Sequence, residues 1–232
     1  ELAAVIVEAF QRLIPPAPGF LEALREVTEE TGVVLIFDEV VTGFRFAYGG
    51  AQEYYGVVPD MCSLGKVVGG GYPLAAITGH EAIMAHFDAS RVKDDEFMQQ
   101  IGTLSGNPVA AAAGRATLRV LREPGAYDRL HATGRKLMEG ITALLEKKGT
   151  KAQVVGEPPL FDVFFTEEEV RDYRTLTRVD NAAQAKFNAS LAARGILKGG
   201  NKYYVSLAHT DEDVAFTLNA VEESLADLYA DA

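Results

Sequence analysis

Cysteine and histidine, the residues that build disulfide frameworks and zinc sites, are scarce in this chain of 232 residues. The single cysteine, Cys62, excludes an intrachain disulfide and any cluster of cysteine ligands, and it is what a reducing, cytoplasmic compartment permits. The four histidines, His80, His86, His131 and His209, lack the spacing of metal ligands. We therefore predict no metal site.

Positive charge and long apolar runs are also in short supply. The chain carries 22 Lys and Arg residues against 33 Asp and Glu residues, a net charge of −11. Nucleic acids and anionic membranes bind basic surfaces, so neither is an expected partner. No stretch approaches the roughly 20 consecutive apolar residues of a membrane span. Because 48% of the residues are nonetheless hydrophobic, a globular domain with a sizeable core is predicted.

The start of the chain has the character of the interior of a domain. Residues 1–8 include no initiator methionine and no signal-peptide pattern, and they are typical of a buried strand. We expect the chain to be the later part of a larger protein whose amino-terminal half is missing from this sequence.

Short apolar runs alternate with helical periodicity along the first part of the chain. Continuous apolar runs at Ala3–Val7 and Val33–Phe37 predict strands that are covered on both faces. Between them, Gly19–Thr31 predicts a helix that ends at Gly32. This order favours an α/β fold with parallel strands, which continues through predicted strands at 61–64 and 74–78.

The pattern changes after Asn107, which predicts the cap of an alanine-rich helix that begins at Pro108. Further helices are predicted at 126–148, 181–194 and 210–229, and strands at 160–166 and 203–207. Thr210 with Asp213 three residues later resembles a reciprocal cap at the start of the last helix. We place a domain boundary near residue 118, so that residues 1–118 form an α/β part and residues 119–232 a smaller α+β part.

Two carboxylates follow the second predicted strand directly. Asp38 thus lies at the carboxyl end of a buried strand, where open α/β sheets bind ligands. The alternative is that Asp38 caps a loop while Glu39 pairs with an arginine such as Arg45.

A lysine, Lys66, stands between a strand end and the triple glycine 69–71. Glycines let the backbone bend tightly and approach a ligand, and a desolvated lysine is a nucleophile for Schiff-base chemistry. The alternative is a surface lysine beside a flexible turn. The glycines do not form a phosphate-binding loop of the usual kinds, because neither G-x-G-x-x-G nor G-x-x-x-x-G-K-[ST] is present.

Hydroxyl groups are concentrated in a loop of small residues, 102–107, just before the alanine-rich helix. Thr103 and Ser105 can donate hydrogen bonds to an anion there, helped by the free N–H groups of the helix start. Capping and turn formation alone would also explain this loop.

Taken together, three segments resemble the signature segments of the class III aminotransferases: Leu35–Gly43, Ser63–Pro73 and Gly102–Pro108. Within that family the chain most resembles the glutamate-1-semialdehyde 2,1-aminomutases and their aminotransferase relatives. The resemblance runs from near residue 1 to the end. It implies a fold-type I pyridoxal-phosphate-dependent transferase, with residues 1–118 as the later part of the large cofactor-binding domain and residues 119–232 as the small domain.

The same resemblance implies a role for four residues. Lys66 would form the Schiff base with pyridoxal 5'-phosphate and move the proton at the substrate carbon. Asp38 would hold the pyridine nitrogen protonated. Val40 would pack on one face of the ring, and Thr103 would reach the cofactor phosphate of the neighbouring subunit. A homodimer with sites at the subunit interface is therefore implied.

Two segments depart from the family pattern. The stretch between Glu8 and Pro15 lacks the expected glycine-containing turn, so the loop there is expected to differ. Asn201 stands about where the aminomutases carry a glutamate, which favours an aminotransferase.

The sequence therefore predicts a transaminase that moves an amino group between an amino acid or amine and a keto acid or aldehyde. One alternative is intramolecular amino exchange, as in the aminomutases. The other is a non-catalytic binding or dimerisation module that keeps the fold.

Overall fold

A computed structural model of the chain describes residues 2–200 and 202–229, and it divides into two compact units. The first unit contains the chain up to Phe10 and Pro16–Pro124, and the second contains Gln11–Pro15 and the chain from Gly125 onward. Residue 118, where the sequence places a boundary, lies inside a continuous helix, Pro108–Leu121. The division between the units comes after that helix has ended, at Pro124.

The first unit is built around a sheet with the strand order β1-β2-β3-β4. Its core contains Leu21, Leu35, Phe37 and Cys62, each at most 5% exposed. The elements, in chain order, are β1 (Ala4–Val7), α1 (Phe20–Thr31), β2 (Val34–Glu39), α2 (Gly50–Tyr55), β3 (Met61–Leu64), β4 (Ala76–Gly79), α3 (Glu81–Met84) and α4 (Pro108–Leu121).

The direction of the last strand corrects the expectation of a wholly parallel sheet. Strands β1, β2 and β3 are parallel, but β4 runs antiparallel to β3. A parallel connection needs a crossover of a dozen or more residues, usually a helix. The link between β3 and β4 contains only a single 3-10 turn, Lys66–Gly69, so the chain doubles back on itself.

Local signals at the helix ends are confirmed. Gly32 adopts the left-handed conformation that ends α1, with a φ of 67°. The side chain of Asn107 accepts hydrogen bonds from the N–H groups of Val109 and Ala110 and so caps α4. In the second unit, Thr210 and Asp213 form the predicted reciprocal cap, because each accepts a hydrogen bond from the other's backbone N–H.

The second unit packs helices on an antiparallel sheet with the order β5-β6-β7. Its core includes Ile141, Phe161, Phe187, Leu191 and Leu225, all fully buried. Its elements, in chain order, are α5 (Ala126–Lys148), β5 (Gln153–Glu157), β6 (Leu160–Phe164), α6 (Tyr173–Leu176), α7 (Asn181–Ala193), β7 (Tyr203–Tyr204) and α8 (Asp211–Tyr229).

A search of the helices in residues 2–200 and 202–229 finds none whose length and apolar character would suit a membrane crossing.

Candidate active site

The carboxylate of Asp38 is held at the end of β2 by two donors. The parallel register sets Asp38 opposite Ser63 of β3, whose hydroxyl donates to Asp38 Oδ1 at 3.1 Å. The Val40 N–H donates to the same oxygen at 3.0 Å. Within the described residues Oδ2 accepts no hydrogen bond, and the side chain is only half-buried. Asp38 therefore presents one fixed oxygen and one that remains available to a ligand.

The sequence had assigned Ser63 no role of its own. Its signal lies in the pairing of two parallel strands, because the residue beside Asp38 in the next strand is the one that can fix its carboxylate. That pairing becomes visible only once the register between β2 and β3 is known.

The neighbouring carboxylate, Glu39, is completely buried and serves the structure. Its oxygens accept hydrogen bonds from the Thr42 hydroxyl at 2.9 Å, the Ala51 N–H at 2.6 Å and the Gln52 side chain at 3.0 Å. The alternative that Glu39 pairs with an arginine such as Arg45 is thereby corrected, because the donors to this carboxylate among the described residues are neutral. Glu39 thus ties the start of α2 to the end of β2.

Lys66 opens the 3-10 turn that follows β3, and its backbone is strained. Its φ is 48°, in the left-handed region that non-glycine residues rarely adopt, and its side chain is exposed. Before it, Gly65 leaves so little space that a Cβ there would lie 3.2 Å from Val40 Cγ1. Val40 therefore packs directly against the turn that carries Lys66. Strained residues of this kind cluster at functional sites.

A cleft of about 860 Å³ lies beside this strand end. Val40 and Ser63 line one part of it, and the loop that contains Thr103 lines another. The structure thus brings Val40 and Thr103 to one cleft and links Asp38 to it through Ser63. Lys66 is not among the described residues that line this cleft.

The loop that was expected to differ between Glu8 and Pro15 forms a tight turn without glycine. Arg12 and Leu13 take positive φ values of 51° and 68°, and the Ile14 N–H donates to the Gln11 carbonyl at 2.9 Å. Leu13 is 2% exposed, so the burial of its side chain offsets the energetic cost of the strained backbone. The second departure, Asn201, lies outside the described residues.

A second group of polar side chains is buried within the second unit. Lys198 Nζ lies 2.5 Å from Asp162 Oδ1 and 2.8 Å from Asn188 Oδ1, and 4.5 Å from the centre of the Tyr203 ring. Burial raises the pKa of the Asp162 carboxyl and lowers the pKa of the Lys198 amine, although each group is the other's counter-charge. Burial also raises the pKa of the Tyr203 phenol.

Groups of three or more His, Cys, Asp or Glu side chains that could hold a metal ion are not found in the part of the chain that the structure describes.

The family of the chain follows from a match over nearly its whole length. The model of the class-III aminotransferases matches residues 1–222. The chain belongs to this family. The resemblance of the chain to this family is thereby confirmed.

Relatives and solved structures agree with this membership. The glutamate-1-semialdehyde 2,1-aminomutase of Thermomicrobium roseum is 41% identical over 98% of this chain and 53% of its own length. An omega-transaminase from Sphaerobacter thermophilus superposes with a TM-score of 0.90 at 33% identity, over 97% of this chain and 52% of that one. A transaminase solved with PLP bound has a TM-score of 0.87 at 29% identity, over 99% and 53%.

These matches confirm the predicted fold class, that of the fold-type I transferases. The chain spans about half the length of the curated relatives it matches, and it corresponds to their carboxyl-terminal half.

Proposed function

We propose that this chain carries the lysine-bearing part of a pyridoxal-phosphate-dependent transaminase. The observation that carries the proposal is the Asp38 carboxylate, fixed through Oδ1 by Ser63 and Val40, with Oδ2 available and with Val40 packed on the glycine before Lys66. The small-molecule partners would be an amino acid or amine as donor and a keto acid or aldehyde as acceptor.

The residues fit the cofactor chemically. A pyridinium N–H needs a fixed anionic acceptor, and Asp38 offers one whose position two hydrogen bonds define. A carbonyl needs a primary amine, and Lys66 is exposed at the start of the next turn. The flat ring needs an apolar surface, and Val40 lines the cleft together with the Thr103 loop.

Bound pyridoxal phosphate supplies a carbonyl that takes up the amino group and a ring that accepts the electron pair of the broken C–H bond. Lys66 Nζ would hold the cofactor covalently and, once released, carry the proton to and from the substrate carbon. The negative charge of Asp38 would keep the proton on the ring nitrogen. Val40 would limit the tilt of the ring.

The Thr103 hydroxyl would donate a hydrogen bond to a cofactor phosphate. By family resemblance, this phosphate would belong to the cofactor held by a second copy of the chain. We therefore propose a homodimer with its sites at the subunit interface. We also propose a companion segment equivalent to the amino-terminal half of the relatives, and a cytoplasmic location, which the single free cysteine supports.

Borohydride reduction followed by peptide mapping tests the proposal. The protein is isolated as cells produce it, so that any companion segment stays attached, and it is supplied with pyridoxal phosphate. We expect a phosphopyridoxyl group on the peptide that contains Lys66 and its loss in Lys66→Arg, which keeps the charge. Lys93→Arg, a change at an exposed lysine elsewhere in the first unit, is the control and should keep the label. Absence of label from Lys66 in the whole protein would support the non-catalytic module instead.

Intramolecular amino exchange is the second candidate, because the Thermomicrobium roseum relative is named as an aminomutase. The two reactions differ in their need for a second substrate. An aminomutase turns over an amino aldehyde with no external acceptor, whereas a transaminase stops after one half-reaction. We expect turnover to require an added keto acid or aldehyde, and sustained turnover without one would favour the aminomutase.

A further inference from the structure

Helix α4 and the turn that carries Lys66 approach each other more closely than any side chain would permit. A Cβ added to Gly114 of α4 would lie 2.3 Å from the Val68 carbonyl oxygen, and real Cβ contacts essentially never fall below 3.0 Å. On the other side of the contact, a Cβ added to Gly70 would lie 2.4 Å from Thr117 Oγ1 and 2.8 Å from the Ala113 carbonyl oxygen. Helix and turn therefore meet backbone to backbone.

The turn needs such a support because its conformation is unfavourable. Lys66 has a φ of 48°, in the left-handed region that a non-glycine residue adopts only at an energetic cost. The hydrogen bonds that join the turn to its flanking residues include one from the Val68 N–H to the Gly65 carbonyl at 3.3 Å and one from the Gly70 N–H to the Val67 carbonyl at 3.0 Å. Val68 and Gly69 of the turn are buried, and the turn packs against α4.

The contact also joins two parts of the candidate site. Helix α4 is capped by Asn107, directly after the loop that contains Thr103, and its buried residues Ala110 and Gly114 lie one turn apart on one face. The same rigid element thus follows the Thr103 loop at one end and holds the Lys66 turn at its middle.

We infer that Gly114 and Gly70 position Lys66, by allowing α4 to fix the backbone of the lysine turn. The inference rests on the proposed function only in that Lys66 is the residue to which the cofactor attaches. A methyl group at Gly114 requires a movement of at least 0.7 Å at Val68, the difference between 2.3 Å and the 3.0 Å limit. Val68 is two residues from Lys66, and functional groups must be held to within about 0.5 Å.

The test compares Gly114→Ala with Gly134→Ala in the protein as cells produce it. Gly134 is a matched control, since it is a helix glycine in α5 whose added Cβ would meet the Pro158 carbonyl oxygen at 2.0 Å, within the second unit. Two properties are measured. The first is the rate at which pyridoxal phosphate becomes reducible onto Lys66 by borohydride. The second is the hydrogen exchange of the amides of residues 66–70 without cofactor.

We expect Gly114→Ala to attach the cofactor at least tenfold more slowly and to exchange these amides at least tenfold faster. Gly134→Ala should lower the melting temperature but leave both properties as in the wild type. Wild-type values in a folded Gly114→Ala would overturn the inference, and so would equal changes in both variants, because they would show general destabilisation.

If Gly114→Ala does not fold, Thr117→Leu is tested by the same two measurements, cofactor attachment and amide exchange. Thr117 is half-buried on α4 and lies next to Gly70, so a larger side chain there should displace the turn. Failure of the wild type to label at Lys66 would count against the proposed function alone. The exchange of the 66–70 amides would still test the positioning contact in that case.

Discussion

The buried pair of Asp162 and Lys198 allows a sharp prediction about stability. Asp162 is fully buried and the Lys198 side chain is 4% exposed, so neither charge is screened by water. Replacing Lys198 with Met leaves an uncompensated carboxylate, and replacing Asp162 with Leu leaves an uncompensated ammonium. Breaking a buried pair in this way costs about 3–5 kcal/mol. We expect each single variant to lose stability in that range.

The double variant Asp162→Leu/Lys198→Met should behave differently, because it removes both desolvated charges. Exchanging a buried pair for apolar residues of similar size is often neutral or stabilising, by about 1–4 kcal/mol. Asn188 loses the Lys198 donor, a loss of about 1 kcal/mol, but the Gln184 side chain still donates to its Oδ1 at 3.4 Å. The double variant should therefore lie between about 1 kcal/mol less stable and about 3 kcal/mol more stable than the wild type.

The pH dependence of the Lys198→Met variant follows from the raised pKa of Asp162. A carboxyl whose pKa is higher in the folded than in the unfolded state contributes stability below its unfolded pKa and loses it as pH rises through the folded pKa. The deficit of Lys198→Met should therefore shrink as the pH is lowered towards about 4.

Urea unfolding monitored by circular dichroism, together with hydrogen exchange at the amides of β6, measures these differences in the second unit. Tyrosine fluorescence can follow the same transition, since the chain contains no tryptophan. If the losses of the two single variants simply added in the double variant, the pair would not be an energetically coupled unit and the reasoning would be refuted.

Three further predictions concern the first unit. Lys66→Gly should melt at a higher temperature than Lys66→Ala, by an amount equivalent to about 1 kcal/mol, because glycine adopts a φ of 48° without strain; equal melting temperatures would contradict the strain. Asp38→Asn keeps an oxygen that can accept the hydrogen bonds from Ser63 and Val40, but it removes the negative charge. The turnover of the proposed transaminase should therefore fall by about a hundredfold or more with little change in melting temperature. Ser63→Ala, which keeps the charge, should reduce turnover less. Burial raises the pKa of Asp60, but its bonds to the Leu35 N–H and to Arg25 outweigh burial and lower that pKa overall, so the wild type should lose stability as pH falls below about 4. Asp60→Asn should remove this part of the pH dependence, and thermal unfolding at pH 7 and pH 3.5 would show whether it does.

The elements that the sequence predicted correctly are those that local chemistry specifies. Gly32 ends α1, Asn107 caps α4, and Thr210 with Asp213 caps α8, each through backbone groups within a few residues. The antiparallel direction of β4 and the glycine-free turn around Arg12 were not predictable in the same way. Both depend on what the chain meets after it folds back, and a tertiary contact can impose a conformation that local preference disfavours.

The candidate site shows the same division. Asp38 and Lys66 stand out in the sequence because a charge at the end of an apolar run, or beside three glycines, demands an explanation. Ser63 does not stand out, because its meaning depends on the register of β2 and β3, and Lys198 does not, because its counter-charge lies 36 residues away.

Gly114 is the clearest case of a residue whose role is hidden from local reasoning. Within a run of alanines, a glycine is expected only to weaken the helix, by about 1 kcal/mol relative to alanine. The contact with the Val68 carbonyl reverses that interpretation, since the same position would force the lysine turn to move if it carried a methyl group. A glycine inside an otherwise strong helix therefore indicates the place where another backbone comes close. Here the backbone that comes close is the one that carries Lys66.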